Sequence, residues 1–208
     1  MTFEAWLAFT GATAVLLLIP GPTVLLVVSY ALGQGLRTAW PMAVGVALGD
    51  FTAMTLSLLG LGALLATSAT VFTILKWIGA AYLVWLGIKL WRAGGRLDAR
   101  PVEAEASPAR MLGHAWLVTA LNPKGITFFV AFLPQFLDPR ADFLTQMLVL
   151  EATFVGLAFA NALGFAVLAS RARSLVRNER AVAWLNRIGG TLLIGAGLVT
   201  VSVRAARD

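Results

Sequence analysis

The amino-acid sequence predicts an all-α integral membrane protein, on three observations. Of its 208 residues, 59% are hydrophobic and only 12% are charged, where a soluble domain carries about 25% charged residues. Mean hydropathy is +0.84, too high for a water-soluble globule of this size, which has a large surface to cover with polar groups. Six apolar stretches reach or approach the roughly 20 residues that a helix needs to cross a bilayer. The same numbers exclude a disordered chain. β-Barrel strands would alternate apolar and polar residues, and these stretches do not.

Taken in order, the first stretch is Trp6–Leu32, interrupted by Pro20-Gly21-Pro22. It does not read as a signal peptide, because Met1–Thr10 has no basic start and Glu4 is acidic. The second, Trp40–Ala66, holds Gly45-x-x-x-Gly49 and then Asp50. Small residues at that spacing let helices approach closely, within the chain or in a homodimer. The third is Val71–Trp91. Arg92–Arg110 follows, with Gly94, Gly95, Pro101, Pro108 and charges of both signs, and reads as the linker. The fourth, Met111–Leu137, is interrupted by Asn122-Pro123, the fifth is Phe143–Ser170, and the sixth is Ala181–Val203. No soluble domain fits between them, so residues 1–208 read as one transmembrane domain.

Charge sets the orientation. There are 16 Lys+Arg against 10 Asp+Glu, a net charge of +6. In a membrane protein such an excess marks cytoplasmic loops rather than a nucleic-acid partner. Ten basic residues fall in the loops after the first, third and fifth stretches: Arg37; Lys89, Arg92, Arg96, Arg100 and Arg110; Arg171, Arg173, Arg177 and Arg180. The opposite side holds Arg140, Arg204 and Arg207. The linker is therefore expected inside and both termini outside, unless one stretch is a re-entrant hairpin.

The chain also matches itself. At a shift of 101 residues Pro22 meets Pro123, Gln34 meets Gln135 and Asp50 meets Glu151. At a shift of 110, Ile78, Gly79, Leu83 and Gly87 meet Ile188, Gly189, Leu193 and Gly197. Leucine matches are cheap in this composition; a proline, a glutamine and an intramembrane acid in one register are less so. The match divides the chain into repeat one (about 1–92), a linker (about 93–110) and repeat two (about 111–208). Three spans per half invert the second half, giving six transmembrane helices as two inverted repeats, an architecture that places substrate at the midplane.

Few side chains are available for chemistry. Asp50 and Glu151 lie inside stretches two and five, where an acid costs about 2.5–3.5 kcal/mol on insertion scales. Each could carry a proton or pair with a cation; a buried acid tied to a neighbouring helix is the structural alternative. The breaks at Gly21-Pro22 and Asn122-Pro123 could each start a half-helix, since Asn is a good N-cap and Pro is tolerated in the first turn. Half-helix N-termini favour a carboxylate; simple proline kinks are the plainer reading. Lys124 could neutralise Asp50 or Glu151, meet a substrate carboxylate, or snorkel to the cytoplasmic face. Snorkelling suits Lys76 and Arg187. Asn161 reads as a bond across helices. Trp77, Trp85, Trp91 and Trp184 suit interfacial or lipid-facing positions. His114 is the only histidine and there is no cysteine, so disulfides and Cys- or His-rich metal sites are excluded. No nucleotide-binding loop, H-E-x-x-H or G-x-S-x-G is present, so transport energy has to come from a gradient or another subunit.

Ile19-Pro20-Gly21-Pro22, Gly33-x-Gly35 leading to Gly45-x-x-x-Gly49-Asp50, Gly79-Ala80-Ala81-Tyr82-Leu83-x-Trp85-Leu86-Gly87, and Asn122-Pro123-Lys124-Gly125 with Phe132-Leu133-Pro134-Gln135-Phe136 resemble the LysE/RhtB family of amino-acid exporters. The resemblance covers essentially the whole chain. It implies a multi-pass protein of the bacterial inner membrane that exports amino acids by proton antiport, with no cofactor and no enzymatic activity. Asn122-Pro123-Lys124-Gly125 is similar to the homoserine/threonine and leucine branch, which favours a neutral substrate. The expected partners are that substrate, protons and membrane lipids. In this reading the substrate carboxylate sits at Pro22 or Pro123 and its ammonium group at Asp50 or Glu151. An uncoupled channel, or an exporter of a metal or other small ion with the two acids as oxygen ligands, are the alternatives.

Overall fold

The computed structural model describes residues 1–67, 99–102, 105–138 and 140–171, with scattered positions between 74 and 92 and between 179 and 198. Every regular element among them is helical. Helix α1 (Phe3–Leu18) starts at Thr2, whose hydroxyl accepts the Ala5 N–H at 3.2 Å, and stops at Ile19, where the backbone becomes extended. After an extended Gly21, α2 (Pro22–Gln34) begins with Pro22 in its first turn, where the missing N–H costs no helical bond. It ends at Gly35, whose φ of +73° suits a residue without Cβ. A 3-10 turn, Gly35–Thr38, leads into α3 (Ala39–Thr67).

The second half repeats the device. Helix α4 (Pro108–Ala120) is capped by Ser107, and α5 (Pro123–Ala131) by Asn122, whose side chain accepts the Lys124 N–H at 3.1 Å. A 3-10 turn at Leu133–Phe136 follows. Helix α6 (Phe143–Arg171) starts beside Asp142. The Thr145 hydroxyl and N–H, each donating at 2.7 Å, hold the exposed Asp142 carboxyl below its usual value.

Both expected breaks therefore start new helices. By length and apolarity, Pro22–Gly60 and Phe143–Arg171 can cross a bilayer, and Pro108–Ala120 with Pro123–Phe136, bent by 46°, makes a third span if the pair is one crossing. Pro22–Gly60 holds 39 residues, about twice what one crossing needs, and the Gly35 turn divides it. Only scattered positions of stretches three and six are described, and Lys76 and most of Gly79–Gly87 lie outside them. Large apolar side chains such as Leu7, Trp40, Leu56 and Leu148 face outward, which lipid solvates and water does not.

Helix α3 is central, packed chiefly by α4 and α6. Its glycine pair is what lets α4 in: a Cβ on Gly45 would lie 2.4 Å from the Leu112 carbonyl oxygen, and one on Gly49 2.7 Å from that of Trp116. The close approach that these glycines permit is thus made within the chain, by α4. On the other side, rings of α5, α6 and α1 interlock, with centroids 4.8 Å apart for Phe129–Phe154, 5.0 Å for Phe128–Phe132 and 5.4 Å for Phe9–Phe136. The linker is not free either. Val102 donates its N–H to the Ser29 carbonyl at 3.1 Å, Ala106 donates to Gln34 Oε1 at 3.3 Å, and Arg37 pairs with Glu105 at 3.1 Å.

Gly45→Ala and Gly49→Ala should each lower stability by about 1–3 kcal/mol, because the added methyl meets backbone that cannot move aside. Gly60→Ala is the control, since nothing lies within 4 Å of its Cβ position. Thermal unfolding in detergent should show lower melting temperatures for the first two and no loss for the third.

Candidate functional site

The two breaks meet. Asn122 donates from Nδ2 to the Thr23 hydroxyl at 3.0 Å, and Thr23 shares a further hydrogen bond with the Thr119 hydroxyl at 3.2 Å. Thr23 stands in the first turn of α2, while Thr119 and Asn122 flank the α4–α5 break. A cavity of ≈30 Å³ lies at this junction, lined by Leu16, Leu17, Thr23, Val24, Val27, Val46, Asp50, Asn122, Lys124, Gly125 and the α6 face Phe154, Ala158, Asn161, Ala162 and Phe165. That is room for about one water molecule, so the junction is closed around its polar groups.

Broken helices in lipid leave backbone groups that cost several kcal/mol each if unmet. At the end of α1 the carbonyls are met by side chains. Lys124 Nζ donates to Leu16 O at 3.1 Å and to Ile19 O at 2.9 Å; Asn161 Nδ2 donates to Leu17 O at 3.0 Å. Gly21 makes room for this ammonium group, since a Cβ there would lie 3.3 Å from Nζ. Lys124 thus turns inward onto α1, which corrects the snorkelling alternative: carbonyls at a helix end outcompete a distant interface. Asn161 bonds across helices as expected.

The other side of the junction holds donors without partners in their own helix. Thr23 and Val24 lead α2, and first-turn N–H groups have no preceding carbonyl to bond. On α5 the Lys124 N–H is taken by Asn122, and Gly125 lies beside Asp50, whose Oδ1 is 3.9 Å from the position of a Gly125 Cβ. Asp50 is 6% exposed, and no hydrogen bond to it is present among the described residues. Lys124 lies within electrostatic reach of it, but the described ion pairs are limited to Arg37–Glu105.

Glu151 goes elsewhere. It is 4% exposed and accepts a short hydrogen bond from the Thr55 hydroxyl on α3. It shares a helix face with Phe154 but does not line the cavity. Positions that match at the 101-residue shift thus have unequal surroundings: Asp50 faces the junction without a hydrogen bond among the described residues, and Glu151 is tied to α3. Pro22 and Pro123 are exposed; they start the helices, and the residues after them face the cavity. Thr23 and Thr119 carry the link between the breaks and were not singled out from the sequence. Thr23 is the register partner of Lys124, which was the available signal.

The family model for LysE type translocators matches residues 14–203. The chain belongs to the LysE family. It is a membrane translocator, not an enzyme. It is 37% identical over 205 residues to a membrane protein of Vibrio cholerae, covering 99% of this chain and 100% of that one. A homoserine/homoserine lactone efflux protein of Salmonella typhimurium is 35% identical over 206 residues, again with 99% and 100% coverage. A leucine efflux protein of an Enterobacter species is 33% identical over 156 residues, 74% of each chain. No solved structure matches the chain.

Lys124→Met should destabilise the protein by about 1–3 kcal/mol, because it strips two buried carbonyls of their donor. Asn161→Leu strips one carbonyl and should cost less, about 1 kcal/mol. Melting in detergent tests the order; a Lys124→Met protein as stable as the parent would remove the helix-capping role.

Proposed function

We propose that this LysE-family protein exports neutral amino acids, homoserine-, threonine- or leucine-like, across the bacterial inner membrane by proton antiport. The observation that carries the reading is the meeting of two half-helix N-termini at a cavity whose one acid, Asp50, has no hydrogen-bond partner among the described residues. The family membership and the efflux names of the relatives support the substrate class. The in-register breaks support six spans arranged as two inverted repeats, with residues 93–110 as the linker on the cytoplasmic side and the whole chain as one transporter domain.

The geometry narrows the binding mode. Asp50 already faces the first turn of α5, so a second anion is disfavoured there. The α-carboxylate of the substrate belongs at the first turn of α2, on the N–H groups of Thr23 and Val24 beside Pro22. Its ammonium group belongs at Asp50. The aliphatic walls (Val24, Val27, Val46, Ala158, Ala162) suit an uncharged side chain. Entry requires the junction to open, since the closed cavity is far smaller than an amino acid. A proton arriving at Asp50 from outside removes the charge that holds the ammonium group and releases the substrate. Glu151, bonded to Thr55 outside the cavity, does not join Asp50 in an oxygen cage for a metal ion.

Asp50→Asn should reduce efflux of preloaded homoserine or leucine from proteoliposomes at least about tenfold, the loss expected for one charged hydrogen bond, and should abolish its dependence on a pH gradient. Undiminished, proton-coupled efflux would remove Asp50 from the mechanism. Glu151→Gln should retain coupling.

A further inference from the structure

A second cavity opens at the far end of α2, on the side expected to carry the basic loops. Its volume is ≈350 Å³, inside the range of roughly 300–1,000 Å³ for small-molecule sites. It is lined by Tyr30, Val102, Glu105, Ala106, Arg110 and His114. The linker builds one wall, held to α2 by the Val102 and Ala106 backbone bonds. The opening turns of α4 build the other, and the Tyr30 hydroxyl meets His114 Nδ1 between them at 3.1 Å.

Opposite charges face this space. Arg110 presents a guanidinium, whose planar fork matches a carboxylate. Glu105 presents a carboxylate, of which Oε1 is held by Arg37. That pair is 54% and 85% exposed, and ion pairs so exposed are weak and readily exchanged. Tyr30, Val102 and Ala106 supply apolar surface between the charges. The cavity thus offers a cation, an anion and an apolar floor at the scale of one small zwitterion.

This cavity and the junction lie along one helix seam. Two hydrogen bonds cross the α2–α4 seam, Thr23–Thr119 at the central cavity and Tyr30–His114 here. Tyr30 lies seven residues beyond Thr23, about 10 Å along the helix axis.

We propose that this cavity is a cytoplasmic loading site for zwitterionic amino acids, in which Arg110 takes the α-carboxylate and Glu105 takes the α-ammonium group before the substrate moves along the α2–α4 seam to Asp50. The assignment rests on the amino-acid export reading above.

The test is initial-rate uptake of labelled homoserine and leucine into everted membrane vesicles, whose cytoplasmic face is outward. Arg110→Ala and Glu105→Gln should each raise KM about tenfold, the effect of one charged contact, with Vmax unchanged. Arg110→Lys should recover part of the loss. Arg171→Ala, at an exposed basic residue outside the cavity, should leave KM unchanged. An unmoved KM in both cavity variants overturns the loading site, as does an equal rise in Arg171→Ala, which would indicate a general surface-charge effect. A fall in Vmax at constant KM also overturns it. Wild-type vesicles that transport no amino acid overturn the export reading itself; transport with unmoved KM overturns the loading site alone.

Discussion

A helix that stops inside a bilayer has to find partners for its terminal backbone groups, and the central architecture follows from how this chain does so. The carbonyls that end α1 are met by Lys124 from α5 and Asn161 from α6. One half-helix is therefore completed by side chains from the second half of the chain. The requirement explains why a lysine is tolerated in the interior at all. It also explains why glycine stands at position 21, where any side chain would crowd the ammonium group. The opposite polarity is left open: Thr23 and Val24, whose N–H groups have no preceding carbonyl in their own helix, line the space that Asp50 borders. The site is thus a junction whose carbonyl end is satisfied and whose amide end is available.

Much of this was legible in the sequence because prolines and buried charges are rare in apolar helices. Pro22 and Pro123 marked two helix starts, and both are found where the residues indicated. Asp50 was recognisable as an acid that lipid would not tolerate without purpose. Partnership was not legible. Lys124 allowed three readings because its long stem reaches an interface as easily as a neighbouring helix, and only the location of the α1 carbonyls decides between them. Glu151 matched Asp50 in register, yet Thr55 claims it, and a hydroxyl donor is one of many along such helices. Thr23 and Thr119 were hidden for the same reason: threonines bond to their own helix backbone so often that a threonine carries little positional information.

The linker shows the same limit from the other direction. Its prolines, glycines and mixed charges described a loop correctly, but not that Val102 and Ala106 would bond back onto α2. Backbone bonds of that kind depend on Gly33, where the chain passes so close that a Cβ would overlap the Val102 carbonyl oxygen at 2.1 Å. A single glycine in a helix gives no sign of which segment will cross it.

The contact between α3 and α4 has a consequence for motion. These helices lie on opposite sides of residues 93–110 in the chain, and at Gly45 and Gly49 backbone closely approaches backbone. Apart from the short side chains of Ala115 and Thr119, such a surface has little that can rearrange to absorb a tilt. A transport cycle that separated the two halves along their sequence boundary would have to pull this contact apart. Any motion that keeps α3 and α4 together as one piece leaves this contact intact. Sequence register and mechanical unit then need not coincide: two glycines bind together helices that lie on opposite sides of residues 93–110.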